Sequence, residues 1–416
     1  MIIIVGGGIA GLSMALTCQQ LGLDCRVFEA ATKIKALGVG INLQPNAVRE
    51  LYDLGLADDL AAIGIEAEEW ALFATGGKLV WSEPRGRLAG YNWPQFSVHR
   101  GALQMMLLNA VIGRLGEDVV ICDAQLTAYT NTPSGITAEF ARANGQTFKA
   151  EGELLIGADG INSAVRRQMY PEEGAPQWGG AIMWRGTSHA RPPRTSNSFI
   201  LMGTLDQRFV CYPISKPDAD GLTTLNWIAE LTPTRTQQPA PTDWNRQVDK
   251  DRFLPEFLSW RFDWIDVPQI IKGAEEVFEY PMVDRNPVPT WTDGRVLIIG
   301  DAAHAMYPVG SNGASQAIVD TRVLGACLKT AGATAGALKA YEARMIEDLN
   351  ALVLRNRGAG PIGILGVVEQ RSGGDFENIS EVIGHQELAE YMASYKSAAG
   401  FAIDTLNHAP PTLLAD

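Results

Sequence analysis

The first eleven residues constrain the fold of this chain more strongly than any other stretch. A run of strand-forming apolar residues at positions 2–5 leads directly into a glycine-rich turn at positions 6–11, and a helical pattern follows. A buried strand, a glycine turn and a helix start, in this order, are the context that a dinucleotide-binding fingerprint requires. In such a unit Gly6 permits the tight turn, Gly8 lets the backbone approach a pyrophosphate, and Gly11 lets the helix pack closely on the strand.

An acidic residue completes this first unit. A second strand-like run at positions 25–28 ends at Glu29, which lies 18 residues after Gly11. An acidic side chain at this distance can accept hydrogen bonds from an adenosine ribose. A second G-x-G-x-x-G pattern, at positions 358–363, follows a helical pattern instead of a strand, and we interpret it as a loop that ends a helix. A nicotinamide nucleotide would therefore have no Rossmann unit of its own.

Length and charge narrow the classes of protein to which the chain can belong. A chain of 416 residues is too long for one typical core, which favours two domains. The net charge of −13 argues against nucleic acid or an anionic membrane as the main partner. The five cysteines show no metal-like spacing, and no stretch reaches the ~18–20 apolar residues of a membrane span. We therefore expect a cytoplasmic protein without a metal, nucleic-acid or membrane partner.

Two later segments repeat the order of strand, turn and helix. Residues 154–166 place Asp159 just after an apolar run, and residues 295–304 place Asp301 after another. The carboxyl ends of strands are where open α/β sheets bind ligands.

Two other stretches differ from this pattern. The glycines at positions 37–47 either form ordinary turns or belong to a loop in which Gly40 lets a flat cofactor approach the backbone. Between these segments, residues 176–281 alternate aromatic strand-like runs with proline-rich turns, which indicates a mainly antiparallel sheet.

These motifs support a family resemblance. The motifs at positions 6–11, 157–166 and 300–320 resemble those of the single-component (group A) FAD-dependent aromatic hydroxylases, which include para-hydroxybenzoate and salicylate hydroxylases. The resemblance covers residues 1 to about 355 and is strongest to the phenazine-modifying and salicylate-hydroxylase-like monooxygenases. It rests further on residues 81–86, 97–100, 183–186, 280–285 and 306–317.

The resemblance implies an α/β fold with interleaved domains. A Rossmann-like FAD-binding domain of the para-hydroxybenzoate-hydroxylase type would alternate along the chain with a mainly antiparallel β-sheet substrate domain, followed by C-terminal helices. The implied FAD-binding parts are residues 1–68, 99–175 and 282–355. The implied substrate-domain parts are a hairpin at 69–98 and a sheet at 176–281, and the C-terminal helical region is 356–416.

The resemblance also implies roles for residues around FAD. Glu29 would hold the adenosine ribose, and Arg100 would contact the cofactor. Asp159 would be tied to both FAD and the reduced nicotinamide, and Asp301 would bind the ribityl or pyrophosphate region. Pro308 and the following loop would lie along the isoalloxazine ring. The loop residues concerned are Ser311, Asn312, Gly313 and Ala314. Many relatives have Gly-Gln-Gly-x-Asn at positions 311–315, so this chain departs from them except at Gly313.

The implied activity is hydroxylation of an electron-rich aromatic or heteroaromatic compound, phenolic or carboxylated, with or without decarboxylation. NADH or NADPH would be a transient co-substrate, and O2 would react with reduced FAD to give a flavin C4a-hydroperoxide. Tyr212 and Pro308 are the candidate catalytic residues. Tyr212 and Arg185 are candidate substrate contacts, although Tyr212 could be a core tyrosine and Arg185 could form an interdomain ion pair. A monomer or homodimer is expected.

Other activities on the same scaffold remain open from the sequence. An FAD-dependent reductase would act on an apolar substrate without inserting oxygen, and a non-catalytic FAD sensor would need no substrate. A flavin halogenase is disfavoured because the chain lacks the W-x-W-x-I-P signature.

Overall fold

A computed structural model describes residues 1–232, 246–358, 360–398 and 402–413 of the chain. The strands, in chain order, are β1 (Ile2–Val5), β2 (Cys25–Phe28), β3 (Gly40–Leu43), β4 (Gly64–Ala67), β5 (Glu69–Phe73), β6 (Leu79–Pro84), β7 (Gln95–His99), β8 (Val120–Ile121), β9 (Gln125–Asn131), β10 (Ile136–Ala141), β11 (Thr147–Gly152), β12 (Leu154–Gly157), β13 (Gln177–Ala190), β14 (Ser198–Gly203), β15 (Gln207–Pro213), β16 (Thr223–Leu231), β17 (Arg261–Phe262), β18 (Ile265–Asp266), β19 (Ala274–Asp284), β20 (Thr292–Asp293) and β21 (Val296–Ile298). The α-helices are α1 (Ile9–Gln20), α2 (Pro45–Asp53), α3 (Ala57–Ile63), α4 (Arg100–Leu115), α5 (Ala164–Met169), α6 (Val267–Lys272), α7 (Asp301–His304), α8 (Gly313–Ala331), α9 (Ala335–Asn356), α10 (Gly363–Ser372), α11 (His385–Ala398) and α12 (Ile403–His408).

The first large sheet has six strands in the order β20-β21-β12-β1-β2-β8. Its strands run parallel except for β20, which is antiparallel to β21. All four residues of β1 and of β12 are buried. Helix α1 is also buried along most of its length and packs against α4 and α8. Strands covered on both faces need continuous apolar runs, which is why these two strands lack an alternating pattern.

The register of this sheet brings three turns to one edge. Val5, the last residue of β1, pairs with Gly157 of β12, and Gly157 pairs with Ile298 of β21. The parallel strands therefore end side by side. The turns that follow them, at residues 6–8, 158–163 and 299–301, leave the sheet at the same carboxyl edge.

The turn after β21 is fixed to helix α8 by a buried pair. His304 Nε2 lies 2.7 Å from Asp320 Oδ2, and the same oxygen accepts the backbone N–H of Gly300 at 2.8 Å. Burial opposes a charge on the imidazole, but the Asp320 carboxylate outweighs burial and holds the pKa of His304 above its ordinary value. The protonated pair thus orients the chain immediately before and after Asp301.

The second large sheet has seven strands in the order β19-β13-β16-β15-β14-β5-β6. Neighbours are antiparallel except β14 and β5, so the β5–β6 hairpin joins an edge of the sheet formed by later strands. One face packs on an aromatic core in which Trp227 lies near Phe209, with ring centroids 6.2 Å apart. Because side chains alternate between faces, the opposite face is formed by the intervening residues of each strand.

The C-terminal helices cover part of that opposite face. Leu365 and Val368 of α10 and Met392 of α11 are buried in one apolar cluster with residues of β5, β13 and β19. Further on, Asn407 of α12 donates to the carbonyl of Gly90 at 2.7 Å. None of the described helices is long and apolar enough to cross a membrane.

Replacing the central tryptophan should destabilise the second sheet. Trp227 is fully buried, and its indole N–H donates to Ser188 Oγ at 2.9 Å. We expect Trp227→Ala to lower the free energy of unfolding by about 3–5 kcal/mol, because it removes a large core side chain and leaves a cavity. Urea unfolding followed by circular dichroism measures this, with Leu88→Ala, at an exposed leucine, as the control. A loss below about 1 kcal/mol would contradict the packing described.

The buried histidine pair should make stability depend on pH. Because the folded protein raises the pKa of His304, the protonated pair stabilises the fold below the ordinary histidine pKa of about 6.5. This contribution is lost as the pH rises through the raised folded value. We therefore expect the stability gap between the wild type and His304→Gln to narrow from pH 6 to pH 9, measured by urea unfolding. His408→Gln, at an exposed histidine, should follow the wild type; a constant gap for His304→Gln would argue against the pair.

Candidate active site

A cavity of about 660 Å³ is lined by residues of both large sheets. The six-stranded sheet contributes its three turns, through Gly8, Asp159 and Asp301. The seven-stranded sheet contributes mainly apolar and aromatic side chains. These include Trp70, Met183, Phe199, Leu201, Val210, Ile228, Tyr280 and Met282. An apolar cavity with a few converging polar groups is the usual form of a small-molecule site.

The glycine turn after β1 is shaped for a pyrophosphate. Gly6 has φ of +106°, and a Cβ there would lie 2.5 Å from the carbonyl oxygen of Ala158. A Cβ at Gly8, in contrast, would meet nothing within 4 Å and would project into open space. Gly8 is the N-cap of α1, whose first turn has no acidic side chain. The open backbone and the helix N-terminus together fit the diphosphate of a dinucleotide.

Glu29 lies beside this turn. Its carboxylate accepts the backbone N–H of Gly7 at 2.6 Å and that of Ala31 at 2.8 Å. The side chain therefore bridges the end of β2 to the glycine turn. Glu29 itself is not among the residues that line the cavity, whereas Arg100, at the start of α4, is.

Asp159 lies at the carboxyl end of β12 and lines the cavity. Its carboxylate accepts Ser163 Oγ at 2.5 Å and the N–H of Ala164 at 2.7 Å, so it also caps the start of α5. Burial raises the pKa of Asp159, and these hydrogen bonds oppose the rise. Asp301, in the equivalent turn after β21, is exposed and lines the same cavity.

The loop before α8 forms another wall. Pro308, Ser311, Gly313 and Ala314 line the cavity, whereas Asn312 is buried as the N-cap of α8. Ser311 has a positive φ of 56°, a conformation that few residues other than glycine adopt. Sequence reasoning missed Gln44, which ties this loop in place. The Gln44 backbone N–H donates to Ser315 Oγ at 2.9 Å, and its amide donates to the Gly310 carbonyl at 3.2 Å.

Gly40 joins the nucleotide-binding part to the seven-stranded sheet. Its N–H donates to Asn226 Oδ1 at 2.6 Å, and its carbonyl accepts Arg185 Nη2 at 3.0 Å. A Cβ at Gly40 would lie only 2.6 Å from the Asn226 side chain, so only glycine allows this approach. Both partners lie far away in the sequence, and no local pattern identifies them.

Tyr212 lies on the cavity face of β15. It is buried, and its ring stacks on Phe199 with a centroid distance of 4.9 Å. Burial raises the pKa of the phenol well above its ordinary value, against the opposing effects of Arg185 and of hydrogen bonds with Asn42 and Asn226. Tyr212 therefore keeps its proton at neutral pH.

Arg185 is a half-buried cation on the adjoining part of the wall. Its guanidinium lies over the Tyr280 ring at 5.8 Å, and burial lowers its pKa. Within the described parts of the chain, no acidic side chain pairs with Arg185, and its Nε atom has no hydrogen-bond partner. The interdomain contact is thus a hydrogen bond to the Gly40 carbonyl instead of an ion pair. A half-buried, partly unsatisfied guanidinium in a largely apolar cavity is suited to an anionic ligand.

The sheet wall also carries an ion pair that sequence reasoning missed. Arg208 of β15 contacts Glu230 of β16, and both residues are buried and line the cavity. No histidine or cysteine is among the described lining residues, so the side chains available for proton transfer are carboxyl and phenol groups.

Comparisons with known proteins show the family to which the chain belongs. The family described as "FAD binding domain" matches residues 1–353. The chain is 39% identical to phenazine 1,6-dicarboxylic acid hydroxylase from Lysobacter antibioticus over 361 residues, which are 86% of this chain and 89% of that protein. It is 28% identical to salicylate hydroxylase from Pseudomonas putida, covering 82% of this chain and 80% of that protein.

Solved structures show the same fold. HpxO from Klebsiella pneumoniae, in complex with FAD and uric acid, matches with a TM-score of 0.74 and 23% identity. The match covers 98% of this chain and 96% of HpxO. The predicted fold class, a Rossmann-like FAD-binding domain interleaved with an antiparallel sheet, is therefore confirmed.

The glycine turn gives a direct test of cofactor binding. We expect Gly6→Ala to weaken FAD binding roughly 5- to 150-fold, because the turn would shift to relieve the strain and the collision with the Ala158 carbonyl, and restoring the binding conformation would cost about 1–3 kcal/mol. Titration of the apoprotein with FAD, followed by flavin fluorescence, measures the dissociation constant. Gly113→Ala is the matched control, since a Cβ at that exposed helical glycine meets nothing within 4 Å. Equal affinities for the two variants would contradict the assignment of this turn.

Proposed function

This chain belongs to the FAD-binding-domain family, and on that premise we propose that it hydroxylates a planar, carboxylated heteroaromatic compound. It is an FAD-dependent aromatic monooxygenase, in common with relatives named as aromatic hydroxylases. The observation that carries the substrate class is the half-buried guanidinium of Arg185. This cation lines a largely apolar cavity and has no acidic partner among the described residues.

The residues at the carboxyl edge of the six-stranded sheet would hold FAD. The N-terminus of α1 at Gly8 would take the diphosphate, and Arg100 would add a positive charge nearby. Asp301 would accept hydrogen bonds from the ribityl or pyrophosphate region, and the loop from Pro308 would lie along the flavin ring. When bound, FAD accepts electrons from NADH or NADPH and activates O2, which no side chain can do.

The sheet wall would bind and orient the substrate. Arg185 would donate hydrogen bonds to a carboxylate through the atoms that the Gly40 carbonyl leaves available. Tyr212, which keeps its proton because burial raises its pKa, would donate to a second oxygen or ring nitrogen. Tyr212 is buried, and Arg185 is half-buried and held by the Gly40 carbonyl, so both are already positioned before the substrate arrives.

The apolar middle of the wall would exclude water and hold a flat ring. Val210, Leu201 and Ile228 lie on three adjacent strands, where the register pairs Val210 with both of the others. The C-terminal region adds Ile362 and Met392 to the lining. Exclusion of water from such a site suppresses the side reactions of reactive intermediates.

Removing the Arg185 charge should weaken binding of acids selectively. We expect Arg185→Met to raise the dissociation constant for phenazine-1-carboxylate about 10- to 150-fold, since a hydrogen bond to a charged group contributes about 1.5–3 kcal/mol. The affinity for phenazine-1-carboxamide should change much less. Perturbation of the bound flavin's visible spectrum gives both constants, and Arg261→Met, at an exposed arginine, is the control. Equal losses for acid and amide would contradict the carboxylate role.

Flavin reduction under anaerobic conditions tests the function as a whole. Stopped-flow reduction by NADH and by NADPH would be followed with and without a panel of aromatic and phenazine carboxylates. We expect the true substrate class to accelerate reduction and to yield hydroxylated product after oxygen is admitted. Fast reduction without any aromatic compound, with no hydroxylated product, would favour a reductase acting on an apolar substrate.

A further inference from the structure

The ion pair of Arg208 and Glu230 is unusual because it lies within an otherwise apolar stretch of the cavity wall. Both side chains are less than a tenth exposed. Its neighbours along the two strands are Val210 and Ile228, which line the same cavity. A buried ion pair contributes little to stability compared with apolar side chains of similar volume. Stability of the sheet alone therefore gives no reason for this pair to be here.

The register places this pair far from Tyr212 along the sheet. Arg208 pairs with Glu230, and Tyr212 pairs with Asn226, so the two rows are four residues apart. This corresponds to about 13 Å along the strands. The Tyr212 row is fixed to the nucleotide-binding part, because Asn226 accepts a hydrogen bond from Gly40.

The opposite end of the wall lies beneath the C-terminal helices. Leu205, in the turn between β14 and β15, packs so closely on α10 that a Cβ at Gly366 would lie 2.8 Å from its side chain. Arg208 follows this turn directly. Arg185 lies two strands away from Arg208, in the same row as Val210 and Ile228, which is two residues nearer to Tyr212. The Cα atoms of Arg185 and Arg208 are therefore about 12 Å apart.

The pair still has hydrogen-bonding capacity for a ligand. Within the residues that the structure describes, the Arg208 guanidinium bonds to Glu230 through Nη2, and the side chain lines the cavity. Burial lowers the pKa of Arg208 to about 10, which leaves it cationic at neutral pH. An adjacent cation and carboxylate have no net charge, and they present N–H donors and an acceptor oxygen side by side.

We propose that Arg208 and Glu230 form a second substrate subsite that recognises a neutral group with a donor and an acceptor, such as a carboxamide or ring lactam. This inference rests on the proposed function, since the first anchor is the carboxylate at Arg185. The span between the two anchors requires a substrate of two or three fused rings. A second carboxylate would be repelled by Glu230, and an unsubstituted edge would leave the pair without a ligand partner.

Binding of three matched probes to the FAD-loaded protein tests this subsite. The probes are phenazine-1-carboxylate and its derivatives bearing either a carboxamide or a second carboxylate at position 6. From one added hydrogen bond to a charged group we expect the carboxamide to bind about tenfold more tightly than the parent acid, and more tightly than the diacid. Flavin spectral perturbation gives each dissociation constant. Equal binding of the parent acid and the carboxamide by the wild type would overturn the proposal without any variant.

A double variant separates recognition from a structural role. Arg208→Met combined with Glu230→Met removes both charges without leaving one of them buried alone. We expect it to bind the parent acid within about threefold of the wild type and to lose the preference for the carboxamide. If the double variant folds and keeps that preference, the pair is only structural. Loss of acid binding in Arg185→Met, measured in the same experiment, would support the proposed function whether or not Arg208 and Glu230 form a second subsite.

Discussion

Every part of the site depends on the hydrogen-bonded register that places β12 between β1 and β21. Because these three parallel strands end together, three turns from distant parts of the chain meet at one edge of the sheet. Gly8, Asp159 and Asp301 therefore reach the same cavity. A slip of one residue in either pairing would move a turn along the edge and reverse the faces of the strand.

The second constraint is the contact of Gly40, which lies in the three-stranded sheet β3-β7-β4, with the seven-stranded sheet. Asn226 and Arg185 both bond to this one residue, one to its N–H and the other to its carbonyl. The side chain proposed to bind the substrate thus also holds a segment on the cofactor side. A ligand that competes for the Arg185 guanidinium would act directly on that segment. This arrangement gives a short physical route by which substrate binding could affect the flavin.

The local features of the site were predictable from the sequence, and the long-range ones were not. The turn around Gly6 could be recognised because its strand, glycines and helix are contiguous. Asp159 also follows an apolar run, although its second task, capping α5, emerges only from the hydrogen bonds of its carboxylate. The Asn226 contact with Gly40 spans 186 residues, and the Arg208–Glu230 pair depends on strand register. Single-sequence periodicity carries no information about either contact.

The central claim is that one continuous cavity holds the flavin at its glycine-lined edge and an aromatic acid against the sheet face. The most direct measurement is a crystal structure of the FAD-bound protein with phenazine-1-carboxylate. We predict the fused rings against Val210 and Ile228, with the carboxylate within hydrogen-bond distance of the Arg185 guanidinium. A ligand whose carboxylate instead contacts Arg100, or which binds outside this cavity, would contradict it.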